Sequence, residues 1–109
     1  MAYGEVITAL ADPTRRQIFE SLRSGARTVS SIAADMPVSR PAVSQHLKVL
    51  QEANLIFGKP VGNTRVYQID PHGLNELHSY LSTFWDDVLI AYGAEVTRRA
   101  LGIGSDENA

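Results

Sequence analysis

The sequence predicts a mainly α-helical domain carrying one small β-hairpin. Three observations lead there. Apolar residues recur at helical spacing in five separate stretches, and several of these open with a capping residue followed by proline. Two strand-like runs, 55–61 and 65–69, flank the turn residues Gly62, Asn63 and Thr64. The 109 residues suffice for one compact domain and not for two, which assigns 1–101 to a single domain and 102–109 to a disordered tail.

The first helix takes its apolar stripe from Val6, Ile7 and Leu10. Asp12 and Pro13 end it and start the second, because Asp is a good N-cap and proline fits a first turn, where its missing N–H costs nothing. Ile18, Phe19 and Leu22 give the second helix an inward side, and Gly25 is expected to end it. Thr28 caps a third helix with Val29, Ile32 and Ala33 inward. Met36, Pro37 and Val38 form a tight break. Ser39 caps a fourth helix with Pro41 in its first turn, and Asn54 suits a left-handed residue just past its end. The hairpin follows, and Pro60 marks an edge strand because proline cannot donate to a ladder. Asp70 and Pro71 repeat the cap-plus-proline signal and open a long last helix.

Two short helices joined by a tight turn and followed by a hairpin describe a winged helix-turn-helix. On a wheel with Arg40 at zero, Ser44 falls at about 40°, Lys48 at about 80°, Pro41 at about 100° and Gln45 at about 140°. Val43, Leu47 and Leu50 fall between about 280° and 340°. The aliphatic side must pack on the preceding helices, so the polar and basic side faces outward. That side predicts a contact with double-stranded DNA. Arg40 and Gln45 have the donor geometry for guanine and adenine edges in the major groove. Ser39, Ser44 and Lys48 suit phosphates, together with the N–H groups of the first turn around Pro41. Asn63, Thr64 and Arg65 at the hairpin tip, with Lys59 on the opposite strand, suit a phosphate backbone or a minor groove. His46 falls at about 240°, beside the aliphatic side, and is expected to pack or hydrogen-bond rather than read a base. Of Arg15 and Arg16, one is expected to make a contact inside the domain and the other to stay solvated or touch phosphate.

Net charge is −2, which by itself does not point to nucleic acid. The distribution does. Residues 15–65 hold eight basic residues against three acids, whereas residues from 66 onward hold two against seven. A chain polarised in this way can present a basic face although its total is acidic. The absence of cysteine excludes disulfides and thiolate metal sites. No apolar run approaches the roughly 18 residues a membrane span needs, and the N-terminus lacks a basic region followed by an apolar one. A cytoplasmic location is the expectation. A nucleophile elbow, a phosphate loop and a His-Glu-x-x-His pair are all missing, so no enzyme is expected.

The stretch ALADPTRRQI over 9–18 resembles the opening of the ArsR (arsenic-repressor) family of bacterial winged-helix regulators. SRPAVSQHLKVL over 39–50 is similar to that family's recognition helix, and EANLI over 52–56 and GNTRVY over 62–67 resemble its helix exit and wing. The match covers roughly residues 5–90 and keeps the motifs in order. The resemblance implies a homodimeric repressor on a palindromic operator near its own promoter. It also implies where a metal would bind in metal-responsive members. One such site uses a cysteine pair, and those positions align here with Thr28 and Ser30. Another uses Asp-x-His early in the last helix, with a second His and an acid or His near its end. Asp70 and His72 match the first half, but the later positions hold Thr83 and Asp86, or Phe84 and Asp87 in the adjacent register. His72 and His78 lie about 240° apart on one helix and cannot share a metal within it. The expectation is the metal-independent branch, with no metal and no cofactor. The alternative is a metal-responsive sensor using His78 with Asp86 or Asp87 across a dimer.

Leu74, Leu77, Leu81, Phe84 and Val88 follow a 3–4 spacing along the last helix, and Trp85, Leu89 and Tyr92 widen the stripe. So small a domain cannot easily hide both edges of such a stripe, and a two-fold dimer is the commonest way to cover one. The expected dimer interface comprises Leu74, Leu77, Leu81, Phe84, Trp85 and Val88, with Val6 and Leu10 of the first helix beside them. A reading from another class is a winged-helix protein-interaction module. Salt-dependent binding to promoter DNA separates the two.

Overall fold

Side-chain caps set most of the helix boundaries. The computed structural model describes residues 2–98, with side chains over 3–93, and the tail expected at 102–109 lies outside the described residues. The order is α1 (Ala2–Ala11), α2 (Pro13–Glu20), β1 (Arg27–Thr28), α3 (Val29–Ala34), α4 (Arg40–Glu52), β2 (Ile56–Val61), β3 (Thr64–Ile69) and α5 (Pro71–Arg98). Asp12 Oδ1 accepts from the Thr14 N–H at 3.1 Å, Thr28 Oγ1 from Ser31 at 3.1 Å, Ser39 Oγ from Ala42 at 3.3 Å, and Asp70 Oδ1 from His72 at 2.9 Å. Each cap satisfies a first-turn donor that has no carbonyl partner within its helix.

α2 ends at Glu20, short of Gly25. From Ser21 onward the bonds tighten to three residues back: the Ser21 hydroxyl donates to the Ile18 carbonyl at 2.6 Å, and the Leu22 and Arg23 N–H groups reach the Phe19 and Glu20 carbonyls at 3.1 Å. Such local bonding offers the backbone an alternative to continued helix. Turns then lead to Gly25, whose φ of +142° closes the segment and whose N–H reaches the Leu22 carbonyl at 3.1 Å. Asn54 takes φ 60°, the left-handed conformation expected just past α4.

The sheet has three antiparallel strands in the order β1-β3-β2, one more than the expected hairpin. The extra strand has only two residues, too short for an alternation signal. It pairs Arg27 with Tyr67 and Thr28 with Val66. Arg27 anchors it by donating to Ser31 Oγ at 2.9 Å and pairing with Asp35 at 2.5 Å. β2 is an edge strand, as Pro60 requires, and it pairs Gly58 with Tyr67, Lys59 with Val66 and Pro60 with Arg65.

The described residues fall into two compact units, divided between Leu77 and His78. The core of the first joins Val6 and Ala9 of α1, Ile18 and Phe19 of α2, Ile32 of α3, Val43, Leu47 and Leu50 of α4, and Leu55 and Ile56. Val6 corrects an expectation. The apolar stripe of α1 puts it at the expected dimer interface, but it is 0% exposed inside its own chain, so no partner can reach it. Its i+3 neighbour Ala9 shares that inward side, while Ile7, one step round the helix, is 45% exposed. Leu10 and Leu77 are half-buried against the same core. In the second unit Leu81, Phe84, Trp85 and Val88 are exposed, as are Leu89, Ile90 and Tyr92. Tyr80 and Phe84 meet edge to face at 5.2 Å. No helix among the described residues is long and apolar enough to cross a membrane.

Candidate nucleic-acid interface

Ser39 fixes where α4 begins, and Val43, Leu47 and Leu50 fix which way it faces. All three are buried, each at 1% exposure or less. Rotation of the helix is thereby set, and Arg40, Pro41, Ser44, Gln45 and Lys48 stand exposed on the opposite side, where the wheel places them. Among the described residues, the side chains of Arg40, Gln45 and Lys48 form no hydrogen bond or ion pair with the chain, so their donors face solvent. Ser39 is exposed, but its Oγ already serves the cap.

A polar cluster ties α4 to the two preceding helices. His46 is half-buried, with Nδ1 3.4 Å from Arg15 Nη1 and 3.8 Å from Asp12 Oδ2. Arg15 in turn donates from Nε to the Ala9 carbonyl at 2.7 Å and lies 3.5 Å from Asp12. His46 therefore packs and bonds rather than standing on the outward side. Arg15 is the arginine with the internal contact; Arg16 is exposed, as expected of the other, and its Nη1 also bonds to the Leu10 carbonyl at 2.8 Å. Both satisfy carbonyls that end α1 without partners of their own.

The hairpin does not bring all of its candidate residues together. Asn63 and Thr64 are exposed at the tip, and Gly62 supplies the left-handed turn residue with φ 62°. Side chains alternate along a strand and paired residues share a face. Lys59 pairs with Val66, so it lies on the opposite face from Arg65 and Tyr67. Arg65 leans back along its own sheet, where Nη2 donates to the Gly58 carbonyl at 3.0 Å and the guanidinium lies 5.9 Å from the Tyr67 ring centroid. Tyr67 also faces α4, with Ser44, Lys48, Gln51 and Glu52 completing the lining of a polar cleft of about 460 Å³. Gln51 and Tyr67 were not among the expected site residues. The signal for Gln51 was present, since it falls at about 20° on the wheel, between Arg40 and Ser44. The signal for Tyr67 was its alternation with Arg65.

The positions aligned with metal ligands have other contacts. Thr28 caps α3, Asp70 caps α5, and His72 Nε2 lies 3.7 Å from Glu76. Among the described residues no three His, Cys, Asp or Glu side chains are grouped so as to hold a metal ion.

Comparisons with known proteins identify the family and the fold. Residues 12–56, which run from the α2 cap into β2, match the model of the arsR family of bacterial regulatory proteins. The chain is 55% identical over 84 residues to the HTH-type transcriptional regulator Rv2034 of Mycobacterium tuberculosis, covering 77% of this chain and 78% of that one. It is 32% identical over 81 residues to the transcriptional repressor SdpR of Bacillus subtilis, covering 74% of this chain and 90% of that one. Among solved structures, a homodimeric winged helix-turn-helix DNA-binding domain from Mycobacterium bovis superposes with a TM-score of 0.64 at 26% identity, covering 81% of this chain and 82% of that one. Its relatives are regulators rather than enzymes, and the chain belongs to the ArsR family of bacterial transcriptional regulators, with a DNA-binding winged helix-turn-helix.

Proposed function

We propose that the chain is a homodimeric, metal-independent repressor that works in the cytoplasm at a palindromic operator near its own promoter. The observation that carries the DNA-reading part is the exposed, unpartnered side of α4 formed by Arg40, Ser44, Gln45 and Lys48. In this reading Arg40 and Gln45 read base edges in the major groove, and Ser44 and Lys48 hold phosphates. Ser39 and Pro41 place the N–H groups of the helix start against the backbone. Asn63, Thr64 and Arg65 follow the flanking backbone from the wing. Lys59, on the other face of the hairpin, contributes long-range charge.

The dimer rests on α5. Leu81, Phe84, Trp85 and Val88 are each between 43% and 58% exposed, and Leu74 is 37% exposed. Apolar side chains in such number call for a partner surface. A second copy supplies it with the symmetry that a palindrome requires. The Mycobacterium bovis neighbour is itself named a homodimer, and the Bacillus subtilis relative is named a repressor. The test is binding to fragments of the promoter DNA by the purified chain, with its mass followed by sedimentation. A salt-sensitive complex of two chains on one site supports the reading. One chain per site, or binding indifferent to salt, contradicts it.

A further inference from the structure

We infer that Tyr67 and Gly58 are positioning residues for DNA binding. They hold the Arg65 guanidinium at the root of the wing, on the side that faces α4. Arg65 and Lys48 then grip one stretch of DNA backbone together. The inference rests on the DNA-binding reading above and deepens it.

Three observations converge on it. The Arg65 guanidinium is docked, with Nη2 on the Gly58 carbonyl at 3.0 Å and the Tyr67 ring 5.9 Å away. Arginine carries five N–H donors in a fixed fork, so one bond to a carbonyl leaves four for phosphate. A guanidinium already held in place has less freedom to lose on binding than one on a free chain. The second observation concerns Gly58. A Cβ there would lie 2.8 Å from Tyr67 Cε2 and 3.1 Å from Arg65 Nη2. Its φ is not left-handed, so the backbone does not demand glycine. Space does: only a residue without a side chain lets the ring and the guanidinium both lie against the strand. The third is the cleft beside them. Tyr67 lines it together with Ser44, Lys48 and Gln51, which are exposed on α4. Glu52 is the one anionic group in that lining. The same ring therefore supports the wing's arginine and walls the cleft that carries the recognition helix's lysine.

An arginine at the tip of the wing, acting alone, would make a different prediction. Its contribution would be independent of Tyr67 and additive with that of Lys48. The experiment measures affinity for promoter DNA against salt concentration for the wild type and for R65A, K48A, Y67F, Y67L and G58A. The doubles Y67L/R65A and K48A/R65A complete the set. Circular dichroism on every sample reports whether the fold is kept. R65A should weaken binding on the order of tenfold and lower the salt slope by roughly one. Y67L and G58A keep the charge of Arg65 but should reproduce most of that loss. Y67F keeps the ring and should bind as the wild type does. Adding R65A to Y67L should cost little more, and K48A/R65A should lose less than the product of the two single losses. G58A serves if Y67L does not fold, because β2 is an edge strand. Folded Y67L and G58A with wild-type affinity and slope, beside a weakened R65A, overturn the positioning role and leave DNA binding intact. A wild-type chain with no salt-dependent affinity for DNA overturns both.

Discussion

Gly73, in the first turn of α5, gives opposite predictions from sequence and from structure. Helix propensity says that replacing a helical glycine by alanine stabilises by about 1 kcal/mol. The geometry says the reverse. A Cβ at this position would lie 2.7 Å from the carbonyl oxygens of both Ala53 and Asn54, and 3.0 Å from the Asn54 carbonyl carbon. These are backbone atoms, so no side-chain rotation relieves the contact. They are also fixed. Ala53 closes α4, Asn54 sits at φ 60°, and its carbonyl accepts the Gly73 N–H at 2.8 Å. Ordinary carbon–oxygen contacts need roughly 3.3 Å or more. The start of α5 must therefore move by about half an ångström and stretch that bond. Overpacking costs about 1–3 kcal/mol and a weakened hydrogen bond about 1 more, against the propensity gain of about 1. The net expectation is a loss of about 1–3 kcal/mol. In urea unfolding at one protein concentration, a slope of about 1–3 kcal/mol/M turns this into a midpoint lower by roughly 1 M. Gly93 lies in the same helix, and among the described residues nothing beyond its chain neighbours and the helix's own backbone comes within 4 Å of its Cβ position, so Gly93→Ala should stabilise by at most about 1 kcal/mol. A Gly73→Ala midpoint equal to or above wild type would refute the packing argument.

The other predictions concern core, dimer and ligand. Val6→Ala removes two buried carbons and should lower unfolding free energy by roughly 2 kcal/mol, whereas Ile7→Ala, at an exposed position, should change it by less than about 1 kcal/mol in a monomeric background. Equal losses would return Val6 to the surface. Phe84→Glu or Leu81→Glu should yield a monomer with intact helices by circular dichroism that no longer holds promoter DNA, because a charge buried without a partner costs several kcal/mol. The Ala versions should do less, and a Glu variant that stays dimeric would move the interface elsewhere. Stoichiometric zinc, cadmium or arsenite should leave DNA affinity unchanged in a titration. A metal-induced loss that disappears in His78→Ala would restore the sensor reading.

Local chemistry made most of this molecule legible. The caps at Asp12, Thr28, Ser39 and Asp70 and the left-handed Asn54 are decisions made within a few residues, so the sequence announces them. The outward side of α4 was legible because one buried stripe, Val43-Leu47-Leu50, settles the rotation of a whole helix. What was hidden depends on distant partners. β1 exists only because β3 presents an open edge to Arg27 and Thr28. Val6 and Ile7 look alike in a stripe, and only the packed core sends one inward and leaves the other out. The cleft at Tyr67 needs the strand register and the helix rotation together, and neither alone places Gln51 beside the wing.

Selection of bound sequences from a random duplex pool, with wild type and Arg40→Ala in parallel, tests the central claim most directly. The account predicts that the wild type enriches two symmetric half-sites about one helical turn apart. Arg40→Ala should lose base preference at one position per half-site and about 1–3 kcal/mol of specific affinity, with non-specific affinity little changed. A wild-type pool without enrichment, or an equal loss on specific and non-specific DNA, would contradict the assignment of Arg40 and of the α4 face as the reader of sequence.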